Sequence, residues 1–132
     1  MRLSQAPALL VLSLISIAPV VVAQTHIGTL FNFVPGLGAC GHTNTSQQIV
    51  ATVSNTTFNS FPGATANPNK NPICGHRLLI KGAKNLTITA QIVDYYKTNP
   101  TSANNIGLST VAFTHFAPLA DGVIANVTWV IV

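Results

Sequence analysis

Val123-Ile124-Ala125-Asn126-Val127-Thr128-Trp129-Val130-Ile131 closes the chain with nine residues, only Asn126 and Thr128 being polar and none charged. The alternation reads as a strand with Val127 and Trp129 on one face. A strand this apolar, with no charged gatekeeper, would template aggregation if it lay at a sheet edge. Both of its edges must therefore be paired, so an all-β fold closed into a barrel is expected, not a sandwich.

Working outward, Arg77-Leu78-Leu79-Ile80-Lys81 and Leu86-Thr87-Ile88-Thr89-Ala90-Gln91-Ile92-Val93 pair as a hairpin across Gly82-Ala83-Lys84-Asn85. Residues 25–33 alternate as another strand, with Ile27, Phe31 and Phe33 on one face, ended by Val34-Pro35-Gly36-Leu37-Gly38. Residues 48–53 read as a buried strand, and Ser54 N-caps a short helical turn. Ser109 is the expected N-cap of a second short helix with Val111, Ala112, Phe113 and Phe116 as its apolar stripe, ended by Pro118. Two irregular stretches interrupt these elements, a Pro- and Asn-rich loop at 61–72 and a polar one at 97–105.

The first residues stand apart from this pattern. Arg2 precedes an apolar stretch at 7–22 broken only by Ser13 and Ser16, and Val21-Val22-Ala23 supplies modest side chains before a cleavage point. Residues 1–23 thus read as a secretory signal peptide. The apolar run falls short of the ~20 residues a spanning helix needs. Residues 24–132 then form one exported domain with no membrane association after cleavage. Its five basic residues, Lys70, Arg77, Lys81, Lys84 and Lys97, are scattered, which argues against nucleic-acid binding.

Cys40 and Cys74 are the only cysteines. In an oxidising compartment such a pair forms one disulfide. His42 and His76 each follow a cysteine by two positions, but C-x-H twice is unlike the C-x2–4-C spacing of zinc sites, so no metal is expected. Neither a phosphate-binding glycine motif nor a redox signature occurs, and no cofactor is expected. Asn-x-Ser/Thr triplets at Asn44, Asn55, Asn85 and Asn126 are candidate glycosylation sites.

Acids are the scarcest resource: Asp94 and Asp121 are the only two. Glycosidic cleavage uses a pair of facing carboxylates, and hard cations want several. Asp121 sits in a turn, Ala120-Asp121-Gly122, which leaves Asp94 at the end of Ile92-Val93-Asp94 as the candidate site acid.

Several local patterns coincide with a known family. Gly28 and Phe31, then Gly36-Leu37-Gly38-Ala39-Cys40-Gly41, resemble the opening of small secreted fungal double-psi β-barrel proteins related to RlpA-like, barwin and expansin domains. Asn71-Pro72-Ile73-Cys74-Gly75 resembles their second cysteine motif, and Ile92-Val93-Asp94 with Leu108-Ser109-x-x-Ala112-Phe113 their V-V-D … D-L-S-x-x-A-F core. The closing Val127-Thr128-Trp129 is similar as well. The resemblance implies a six-stranded double-psi barrel with one or two short helices and Cys40 bridged to Cys74. It also implies a groove holding two aspartates. The first falls on Asp94; the second falls on Gly107, where no carboxylate stands. Tyr96, two places after the aspartate, matches the tyrosine of the expansin-like groove.

These readings predict a secreted, monomeric, non-catalytic barrel that binds cell-wall polysaccharide through Asp94, Tyr95, Tyr96, Lys97 and His42. Because adjacent strand residues point opposite ways, one of the two tyrosines is expected to pack inward. The alternative is a secreted effector or protease-inhibitor-like module that docks a protein through the 61–72 loop. A weak glycan-cleaving enzyme using Asp94 is the third reading, disfavoured by the missing second acid.

Overall fold

A computed structural model describes residues 2–18 and 23–132. Six strands, β1 (His26–Asn32), β2 (Val50–Ser54), β3 (Arg77–Lys81), β4 (Thr87–Tyr96), β5 (Ile106–Leu108) and β6 (Val123–Ile131), close into a barrel in the order β1-β5-β2-β4-β3-β6. Two short helices, α1 (Asn55–Ser60) and α2 (Thr110–Phe113), accompany them. The pairs β1/β5 and β2/β4 are parallel, and β2 joins them through an antiparallel contact with β5.

β6 closes the ring, as its composition requires. It pairs antiparallel with β1 on one side and β3 on the other, so neither edge is left open. Val127 and Trp129 are buried in the barrel beside Leu78, Ile80, Ala90 and Ile92. The Trp129 indole donates its N–H to the Asn104 carbonyl at 2.8 Å, which removes the penalty of burying that polar group. The expected hairpin forms, with Leu78 opposite Ala90 and Ile80 opposite Ile88.

β1 differs from expectation. Leu30 is fully buried, whereas Ile27 is 63% exposed and Phe31 is half-buried on the outer face. Apolar residues occupy both faces of this strand, so alternation alone does not tell inside from outside. Phe31 earns its burial outside the barrel, against the Tyr96 ring at 5.0 Å. β2 also begins two residues later than expected, at Val50, and Ile49 is exposed.

Ser54 caps α1 as read, its hydroxyl accepting the Thr57 N–H at 3.1 Å. Ser109 stands at the N-cap of α2 but caps nothing with its side chain. Its buried hydroxyl instead donates to the Gln48 carbonyl and accepts the Val50 N–H at 3.3 Å, tying α2 to the start of β2. Phe58 of α1 and Ala112 and Phe113 of α2 join the core.

Cys40 and Cys74 are bridged, with Cα atoms 5.6 Å apart and a sequence separation of 34. Closing a loop of that length stabilises the fold by about 4 kcal/mol in the chain-entropy account. Residues 2–18 carry no regular secondary structure, and among the described residues no helix is long and apolar enough to cross a membrane. Residues 19–22, which hold part of the expected cleavage pattern, lie outside the described residues.

The two faces of β1 are separable by mutation. Leu30→Ala should lower the unfolding free energy by roughly 2–5 kcal/mol, and Ile27→Ala by less than about 0.5 kcal/mol, in urea titrations.

Candidate functional site

Strand register aligns Asp94, Thr52, Gly107 and Phe31 in one row across β4, β2, β5 and β1. This row is the floor of the face on which the sequence placed its site. Asp94 is half-buried there, and one carboxylate oxygen does the visible bonding. Oδ1 accepts the N–H of Ala39 at 2.9 Å and that of Tyr95 at 2.8 Å. Oδ2 accepts no hydrogen bond among the described residues.

The Ala39 contact anchors a small loop. Gly38 N–H donates to the His42 carbonyl at 3.1 Å, Asn44 N–H to the Gly36 carbonyl at 2.9 Å, and Cys40 N–H to the Val93 carbonyl at 3.2 Å. Gly38 is required at this approach, since a Cβ would collide with the Val93 carbonyl. His42 is exposed on the loop, and Lys97 is exposed at the end of β4. Asp94 therefore brings the 36–44 loop onto the β4 face.

The two tyrosines point opposite ways. Tyr95 packs inward against Phe58, ring centroids 5.0 Å apart, and joins the core. Tyr96 lies on the outer face, edge-on to Phe31, and its hydroxyl is directed at the carbonyls of Ser102 and Asn105. Burial pushes its phenol up from 10.0 to about 12. Both rings thus make aromatic contacts within the fold, and Tyr96 fastens the 97–105 loop.

Gly107 is the most informative position in the row. A Cβ there would lie 2.6 Å from Thr52 Cγ2 and 2.7 Å from Phe31 Cε2, so the space beside this glycine is filled. The missing second acid is thus matched by an aromatic ring that covers its place. Asp121 does not compensate: it lies in the exposed turn Leu119–Asp121 before β6. Among the described residues no cluster of three or more His, Cys, Asp or Glu gathers to hold a metal ion.

A second feature lies on the other side of the disulfide. The 61–72 loop is exposed yet braced at both ends. Buried Asn71 donates through Nδ2 to the Phe58 carbonyl at 2.7 Å and accepts the Ile73 N–H at 3.0 Å. Phe61 packs on His76 at 4.8 Å, and Cys74 is tied to Cys40. Thr65 and Asn67 fold the tip on itself through bonds of 3.2 and 3.3 Å. Asn69 packs beside Gly41, so this loop and the 36–44 loop form one surface, on which Leu37 is 76% exposed. Sequence reasoning treated Asn71 as the end of the 61–72 loop and as part of a cysteine motif, without a bonding role. An Asn directly before Pro at the start of a turn was the signal for its capping role.

No family model matches the chain, and no curated protein sequence matches it. Solved structures do. The Streptomyces papain inhibitor is similar with a TM-score of 0.70 and 28% identity, covering 83% of this chain and 94% of the inhibitor. A mutant Clavibacter michiganensis expansin in complex with cellohexaose is similar with a TM-score of 0.61 and 20% identity. The apo form of that expansin gives 0.60 and 19%. Both expansin matches cover 83% of this chain but 50% of the expansin, so the chain spans half of that protein. The fold is a six-stranded double-psi β barrel, shared with both kinds of neighbour.

Two measurements check this description. Gly107→Asp should destabilise by about 1–3 kcal/mol through overpacking against Phe31 and Thr52, and should release no soluble sugar from glucan or chitin. Tyr96→Phe should lose about 1 kcal/mol with its hydrogen bond. Because the folded phenol's pKa lies above its unfolded value, the contribution is complete below pH 10.0 and lost as pH rises through about 12. Tyr96→Phe should therefore flatten that part of the stability–pH curve.

Proposed function

We propose that the chain is a non-catalytic, exported binding module that docks on a protein, and that it inhibits papain-like cysteine proteases. The observation that carries this reading is the 61–72 loop, exposed and uncharged at its tip yet held by Asn71, the disulfide and the Phe61–His76 contact. A loop ordered before binding loses little conformational freedom on docking, which is how rigid inhibitory loops gain affinity. Exposed Leu37 on the adjoining loop adds an apolar anchor of the sort protein interfaces use. The likeness to the Streptomyces papain inhibitor, over nearly its whole length, supports the same reading.

The non-catalytic part of this reading is supported by the Asp94 row. One acid is engaged with two backbone N–H groups, and the place of a second is filled by Phe31. Polysaccharide binding is the second reading. It is favoured by Asp94 Oδ2, Lys97 and His42, which leave polar groups around the β4 face, and by the fold shared with an expansin crystallised with cellohexaose. It is weakened by the two tyrosines, whose rings are taken up by packing.

Titration of papain against the purified protein separates the readings. Inhibition is expected, weakened tenfold or more by Ala66→Arg at the loop tip or by Leu37→Asp, and unchanged by Lys97→Ala. No inhibition, together with retention on cellulose, chitin or β-glucan that Lys97→Ala weakens, would replace this proposal with the second reading.

A further inference from the structure

We infer that Asn85 and Asn126 are the glycan-bearing residues of this chain, that Asn44 and Asn55 stay unmodified, and that the two glycans share the barrel end remote from the 61–72 loop. All four have the Asn-x-Ser/Thr pattern, so sequence gives no ranking. The fold separates them by backbone conformation, exposure and side-chain engagement.

Asn85 is exposed at the tip of the β3–β4 hairpin, with φ 57°, following Lys84 at φ 56°. Asn126 is exposed in β6 with φ 58°. It sits where β6 carries an extra residue relative to β1, since Gly28 pairs with Val127 and Leu30 with Ile124. Asn tolerates this left-handed conformation better than most residues, and a bulge or tight tip turns its side chain away from the ladder. Among the described residues neither side chain makes a hydrogen bond, so an attached sugar displaces nothing.

The other pair is committed to the fold. Asn44 is half-buried, donates through Nδ2 to Gln48 Oε1 at 3.3 Å, and holds its Oδ1 buried. Glycosylation would convert that Nδ2 into a crowded secondary amide. Asn55 is half-buried at the start of α1, and its Oδ1 accepts the Thr98 N–H at 3.1 Å. The hydroxyl of its triplet, on Thr57, is bonded to Ser54 and to the Ala103 carbonyl.

Position gives the pair a common consequence. Lys81, the last residue of β3, is paired with Thr87 on one side and Thr128 on the other, and these threonines complete the Asn85 and Asn126 triplets. The disulfide and the braced loop meet β3 at its other end, beside Arg77, about 13 Å away along a five-residue strand. Glycans at the Lys81 end therefore leave the proposed docking loop uncovered.

The modification is a group transfer from a lipid-linked oligosaccharide pyrophosphate in the secretory compartment. The asparagine Nδ2 forms a bond to the anomeric carbon, the bond from that carbon to the pyrophosphate oxygen breaks, and Nδ2 gives up one proton. This inference rests on the export reading of residues 1–23. Expression of the full chain in a eukaryotic secretory host, followed by enzymatic deglycosylation in heavy-oxygen water and peptide mass spectrometry, tests it. Labelled aspartate is expected at 85 and 126 and not at 44 or 55. Thr87→Ala and Thr128→Ala, which keep both asparagines in place, should each remove one glycan from the intact mass. Secreted protein that is unmodified at 85 and 126, or modified at 44 or 55, would overturn the assignment. Protein retained in the cell with residues 1–23 attached would overturn the export reading and this inference with it.

Discussion

Closure of the sheet by β6 is the constraint on which the rest of this structure depends. A nine-residue strand with no charge can persist in water only if both ladders are satisfied, and β1 and β3 satisfy them. Closure sets Trp129 inside the barrel, and its indole then needs an acceptor. Asn104 supplies one, which draws the 97–105 loop against the barrel. Tyr96 fastens the same loop from the opposite side. A polar segment with no strand of its own is thus positioned by two aromatic side chains that reach its main chain.

The same economy operates on the outer face. With so few acids in a small barrel, Asp94 is the residue a reactive role would fall to. Its Oδ1 is instead a fastener between β4 and the 36–44 loop, and through Cys40 that loop is joined to the turn at Cys74. The disulfide, Asn71 and the Asp94 carboxylate converge on one surface made of two loops. These side chains hold the shape of that surface, and among the described residues Asp94 and Asp121 are too far apart in the fold's elements to form a facing pair of acids.

Much of the architecture was legible before the fold was known. The closing strand demanded two partners, the 77–93 segment announced its hairpin, and the motif resemblance gave the barrel class that the solved neighbours share. What could not be read were choices made by tertiary context. Phe31 and Ile27 share a face of β1, but the barrel buries the opposite face, where Leu30 joins the core with Val127 and Trp129 of β6. Ser109 carries the residue type of a cap, yet a longer-range bond to Gln48 claims its hydroxyl. The candidate site was half legible. Asp94 lies on an outer face with His42 nearby along the loop it anchors, and the opposed orientation of Tyr95 and Tyr96 follows from strand geometry. That Phe31 would fill the space beside Gly107 required the register of four strands.

That filled space has a bearing on descent. A single replacement of Gly107 by an acid meets Phe31 and Thr52 before it meets any substrate. Shrinking Phe31 first would strip Tyr96 of its packing partner and loosen the loop that Tyr96 holds. Each step toward a two-acid groove is therefore disadvantageous alone, and only their combination opens the site. The ring over Gly107 thus couples the two positions: an acid at 107 and a smaller side chain at 31 would have to arrive together for either to be tolerated.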